Sequence, residues 1–258
     1  MESDDITPEF SFVYLPDKSN PGLEDKNTQE YLKKWGINFM TQSFLFNEPF
    51  QQYHRCHFAE AFFKDRFVAE KLKIWDPSSS VFKEPGIIAS EVDVRPVPCT
   101  ITSMIFFEKL NDPKNEIVHE SGSIRPSHYD YIDDILIPNC LRAMILDDAN
   151  DKYHLYSKSE RAEFIFRIFR MLVLGGSCCQ YEDDLKIYLN ITKALYKTFV
   201  RVGLTSDQND IEILSTILEV VAKKDEPFYP WNPKHPQNIG YLIIDPINRE
   251  VTTFLHQY

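Results

Sequence analysis

At 258 residues, with 43% apolar and 26% charged residues, the chain can bury a full core without metals or disulfides, and its composition excludes an intrinsically disordered protein. Its 39 acidic and 28 basic residues give a net charge of -11, and no lysine and arginine run supplies the footprint of a nucleic-acid binder. The acidic start MESDDITPEF is unlike a signal peptide and no stretch reaches the ~18 apolar residues of a membrane span, so a soluble intracellular protein is expected, with no membrane partner.

After a flexible acidic tail over residues 1–9, FSFVYL (10–15) alternates as a strand does, and NTQEYLKKWG reads as a helix capped by Asn27 or Thr28 and stopped by Gly36. One or two helices are expected in EPFQQYHRCHFAEAFFKDRFVAEKLKIW, ended by Pro77 and its serines. IIASEVDVRPVPCTITSMIFFEKL (87–110) predicts two strands joined at the RPVP corner. Residues 121–151 read as a polar, acidic connection with a short helix around PNCLRAMILDD.

Ser157 and Glu160 have capping-box spacing, and Phe164, Ile165, Ile168, Phe169, Leu172 and Val173 form the apolar face of a buried helix. A second amphipathic face runs from Tyr181 to Phe199, so two neighbouring helices flank LVLGGSCCQYEDDL (172–185). IEILSTILEVV reads as a strand, with a helix as the alternative. GYLIIDPINREVTTFLHQY predicts a hairpin turning on Asp245, Pro246 and Asn248. The sum is an α+β fold: a single domain over residues 10–258 with a mixed or antiparallel sheet, a buried helix pair and a C-terminal β-hairpin.

Candidate chemistry is sparse. Cys178 or Cys179 near a helix N-terminus would be an activated thiol, but Glu182, Asp183 and Asp184 oppose thiolate formation, and a bridge between neighbours is disfavoured because their Cα atoms lie about 3.8 Å apart. Cys56, Cys99, Cys140, Cys178 and Cys179 show no CxxC spacing and are read as reduced. The glycine pair lacks a phosphate-loop pattern and is explained by a helix stop. His54 and His57 with Cys56 suggest zinc without a fourth ligand.

His128 and Asp130 form an H-x-D, the start of a facial-triad iron site, with His235 or His256 as the distal ligand and Arg249 as an anion clamp. A non-haem Fe(II) oxygenase is therefore the alternative enzymatic reading. The acidic pairs Asp133/Asp134 and Asp147/Asp148 fail the calcium-loop pattern and read as solvated loop. No metal or cofactor is expected.

Four stretches, FNEPFQQYHRCHFAEAFFKD (46–65), VPCTITSMIFFEKL (97–110), LGGSCCQYED (174–183) and YLIIDPINR (241–249), resemble the family of cilia- and flagella-associated protein 300. The resemblance implies a non-enzymatic factor for cytoplasmic assembly or delivery of outer and inner axonemal dynein arms, located in the cytoplasm and the cilium or flagellum axoneme. It also implies partners among kintoun-type assembly factors, arm components and intraflagellar transport. Two candidate contact points come from the residues themselves. Phe228, Tyr229 and Trp231 sit in the proline-rich PFYPWNP, expected to be an extended loop, where exposed aromatics would anchor a partner. Packing of that loop against the domain is the competing reading. Glu182 and Asp183 are expected to be partly exposed.

Overall fold

The computed structural model describes residues 8–132, 134–205 and 210–258; residues 1–7 of the expected tail, and Asp133 of the expected acidic loop, lie outside the described residues. Pro8 and Glu9 are already held, the first by the His57 ring and the second by the Asn47 amide. Then come β1 (Phe12–Leu15), the single-turn α1 (Pro21–Glu24) and α2 (Lys26–Lys34). Asp25, rather than Asn27 or Thr28, caps α2 by accepting from the Thr28 amide at 2.8 Å, and Gly36 at φ +64° ends it.

β2 (Asn38–Phe46) is a nine-residue strand that no alternation pattern announces. In the next segment α3 (Arg55–Lys64) and α4 (Arg66–Lys71) are separated at Asp65, which ends the first and caps the second through the Val68 amide. β3 (Ile74–Asp76) and β4 (Val81–Lys83) form a small hairpin around Pro77.

Of the two strands expected over 87–110, only β5 (Glu91–Val97) forms. The second is a 3₁₀ segment, Met104–Leu110, in which Met104, Phe107 and Leu110 recur every third residue and turn toward the core. The expected polar connection also contains a hairpin, β6 (Pro126–Ile132) with β7 (Ile135–Asn139), before the short helix α5 (Cys140–Leu146). β6 exposes His128, Asp130 and Tyr131, which hid its strand character.

The capping box at Ser157 and Glu160 is present but serves the short α6 (Lys158–Ala162). The buried helix expected behind it starts afresh as α7 (Phe164–Leu174), because Glu163 breaks the path and gives its carboxylate to the Thr100 amide and hydroxyl at 2.9 and 2.7 Å. The second helix, α8 (Leu185–Phe199), packs beside it, capped by Asp184. β8 (Val202–Leu204), β9 (Ile211–Ile213) and β10 (Thr216–Lys223) follow, so the strand reading of IEILSTILEVV holds with a break at Leu214 and Ser215.

β11 (Pro227–Tyr229) occupies the start of the proline-rich segment expected to be loop. The closing hairpin of β12 (Ile239–Asp245) and β13 (Glu250–Gln257) turns as expected: Asp245 Oδ1 accepts from the Ile247 and Asn248 amides.

The main sheet is antiparallel in the order β1-β2-β13-β12-β10, with β5 and β11 both paired to β10. Its two faces are both covered. Ile217, Tyr241, Ile243 and Phe254 pack under α7 and α8, while Leu218, Val220, Leu242, Ile244 and Val251 pack on α3 and α4. Double coverage explains why β12 reads as a continuous apolar run rather than as alternation. Each such side chain taken fully from water contributes about 1.5–3 kcal/mol, and the two layers fix α8 against the Met104–Leu110 segment.

Candidate partner-binding surface

The 172–185 stretch is a joint held from three sides. Gly175, at φ +65°, ends α7, and the buried Gln237 side chain donates to the Met171 and Gly175 carbonyls left over at that end. Gly176 donates to the Trp35 carbonyl at 2.9 Å and Gln180 to that of Lys34 at 3.0 Å, so the turn after α2 lies directly on the glycine pair. Buried Arg142 of α5 donates to the Val173 and Leu136 carbonyls and to Cys179 Sγ at 2.8 Å. Burial pushes the Cys179 thiol up, against the opposing pull of Arg142. The stretch therefore offers no activated nucleophile at Cys179, and the main reason is burial rather than the carboxylates invoked from the sequence.

Both carboxylates expected to be partly exposed have some access to solvent: Asp183 is exposed, and Glu182 is intermediate, its side chain 14% accessible and paired with Lys34 at 2.5 Å. That ion pair holds the Lys34 ammonium above its ordinary range, chiefly through the hydrogen bond to Glu182. Glu182 is thus tied to the joint through Lys34, whereas Asp183 presents its charge freely to solvent.

The aromatic anchor, by contrast, is corrected. Phe228 and Tyr229 are 7% and 0% accessible, packed on Phe63 of α3, with ring centroids 5.0 Å apart for Tyr229. Both consecutive β11 aromatics are buried once the segment joins the sheet. Trp231 alone is exposed, at 41%, its backbone tied to the Gln257 side chain.

The oxygenase residues are not assembled. His128 and Asp130 are exposed on β6; His235 stacks on Tyr258; His256 is fully buried and donates from Nδ1 to the Gln237 carbonyl; Arg249 sits at φ +52° in the closing turn, donating to the Asn47 carbonyl at 2.6 Å. Among the described residues no group of three His, Cys, Asp or Glu side chains is placed to hold a metal ion, the His54, Cys56 and His57 set included. Nor is any described helix long and apolar enough to cross a membrane.

What the sequence reading missed is a groove of 620 Å³ between the 3₁₀ segment Met104–Leu110 and α8. Met104, Leu189 and the 66% exposed Ile105 supply its apolar lining. Lys186, Lys193 and Lys197 rise along its α8 side, all exposed and without an ion pair among the described residues; Glu108 is the one carboxylate in the lining. The i, i+7, i+11 spacing of these lysines puts them on one helix stripe, a signal available in the sequence but overlooked because the basic residues are not consecutive. In a chain of net charge -11 this is a local cationic rim over an apolar floor.

The chain matches the family model described as "Cilia- and flagella-associated protein 300" over residues 9–256. A curated relative of that description from Paramecium tetraurelia is 30% identical, covering 100% of this chain and 98% of its own length. Another from Chlamydomonas reinhardtii is 25% identical, covering 96% of this chain and 98% of its own. No solved structure matches.

Proposed function

The chain belongs to the cilia- and flagella-associated protein 300 family, and from that premise we propose that it is a non-enzymatic assembly and transport factor for the outer and inner dynein arms of motile cilia and flagella. It works in the cytoplasm through protein contacts and accompanies its cargo to the axoneme. The observation that carries this reading is the family match across both helical layers and the sheet; neither the family nor these relatives bear an enzyme name.

The groove beside α8 supplies the contact. Its occupant is an acidic amphipathic helix of a kintoun-type assembly factor: the apolar face covers Ile105 and Leu189, and the carboxylates meet Lys186, Lys193 and Lys197. Intraflagellar transport then carries the assembled arms. Deleting the protein from a ciliated cell and quantifying dynein heavy chains in isolated axonemes tests the function. Loss of both arm classes from otherwise intact axonemes is expected; a normal complement of arms would end the reading.

A further inference from the structure

A second cationic site is built from α6 and α7. Two adjoining cavities, of 310 and 210 Å³, share Arg161, Arg170 and Pro236; the larger is also lined by Arg167, Glu219 and Tyr241. Arg161 spends its donors on the Met144, Ile145, Tyr153 and Tyr156 carbonyls, so its charge meets no carboxylate. Arg167 pairs with Glu219 at 3.2 Å and hydrogen-bonds the Tyr241 phenol. Arg170, one turn further on, makes no hydrogen bond or ion pair to the described residues, and its Nε is fully buried without a partner.

A half-buried guanidinium whose Nε is fully buried, beside a second one, is costly unless something of opposite charge completes it. Burial, then the neighbouring Arg167, pull the Arg170 group below its ordinary range. Three arginines against one glutamate leave an excess of two positive charges (3 - 1 = 2). A carboxylate would cancel one of them. A phosphomonoester carries about -1.5 to -2 at neutral pH and accepts the forked hydrogen bonds that guanidinium donates.

We infer that the Arg161–Arg167–Arg170 cleft is a phosphoryl-binding site. The phosphoryl group comes either as a free anion or on a phosphorylated side chain of a bound protein. This site is separate from the groove beside α8 and does not depend on the dynein-arm reading.

The test is isothermal titration of the full chain at constant ionic strength with three probes: inorganic phosphate, a short phosphoserine peptide and the same peptide unphosphorylated. Thermal unfolding of the wild type and of Arg170→Met runs alongside. The wild type is expected to bind phosphate and to gain about 2–4 °C in Tm at saturation, a response absent from Arg170→Met. Tighter binding of the phosphopeptide than of phosphate assigns the site to a phosphorylated partner; binding of phosphate alone assigns it to a free anion. Without phosphate, Arg170→Met should melt no lower than the wild type, since it removes a half-buried charge whose Nε has no partner. No binding by the wild type, or equal binding by Arg170→Met, would overturn the assignment. If that variant fails to fold, the wild-type titration and the weaker binding expected of Arg170→Lys, which loses the fork but keeps the charge, decide it.

Discussion

The backbone carbonyl of Gly36 occupies the place where a side chain at Gly176 would begin: a Cβ built on Gly176 lies 1.9 Å from that oxygen. The turn that ends α2 and the turn that ends α7 touch backbone to backbone, with the Gly176 amide donating to Trp35 next door. Gly176→Ala should therefore cost at least the upper end of the roughly 1–3 kcal/mol typical of overpacking, measured by urea unfolding. Gly86→Ala, with nothing within 4 Å of the added carbon, bears only the strain of its φ of +68° and should lose less. Equal losses would show that the contact is not tight.

Packing and binding separate within one short segment. Phe228→Ala and Tyr229→Ala empty buried sites against Phe63 and should lose about 3–5 kcal/mol of stability, whereas Trp231→Ala should lose under about 1 kcal/mol. Denaturant titration of the three single variants reads this directly. A strongly destabilised Trp231→Ala would place that ring in the core.

The thiols should sort by burial. Cys56 and Cys178 are exposed, while desolvation pushes Cys99 up to about 11 and raises Cys140 and Cys179. Iodoacetamide at pH 8 followed by mass spectrometry should label Cys56 and Cys178 within minutes and the other three more slowly. Rapid native labelling of Cys179 would revive the reactive-thiol reading that the sequence first suggests.

His256 gives the fold an acid sensitivity. Burial pulls its imidazole down to about 4, and the ring keeps an Nε2 with no partner among the described residues. The unfolded chain takes up this proton below about 6.5, while the native state does not until about 4. Its contribution is complete above pH 6.5 and falls as pH drops toward 4, by about 1.4 kcal/mol per pH unit. Between pH 7 and 5 the wild type should lose about 2 kcal/mol more than His256→Gln. Parallel pH dependence in both would remove His256 as the cause.

Several elements were legible because local signals and tertiary packing agree. The closing hairpin has its Asp245 turn, the capping box has Ser157 and Glu160, and α8 has a sustained apolar stripe. Other elements were not, for identifiable reasons. β2 is partly covered on both faces and carries Thr41, Gln42 and Ser43 in mid-strand, which break either periodicity. Buried Gln42 is there because its side chain bridges the backbone of Lys71 and Lys73 at the end of α4. The Met104–Leu110 segment has the composition of a strand but a three-residue repeat set by the core. The site was harder still, since Lys186, Lys193 and Lys197 form a rim only when the 3₁₀ segment lies opposite them. Phe228 and Tyr229, by contrast, joined the sheet.

The most direct test of the proposed groove uses the charge of its rim. In a ciliated cell lacking the protein, wild type or the triple variant Lys186→Glu, Lys193→Glu, Lys197→Glu is expressed at equal level, after circular dichroism and thermal melting establish equal folding. Arm dynein heavy chains are then quantified in isolated axonemes. The wild type and the triple Lys→Arg control should restore outer and inner arms, and the Glu variant should not, because it presents negative charge to an acidic partner helix. Full restoration by the Glu variant would contradict the account.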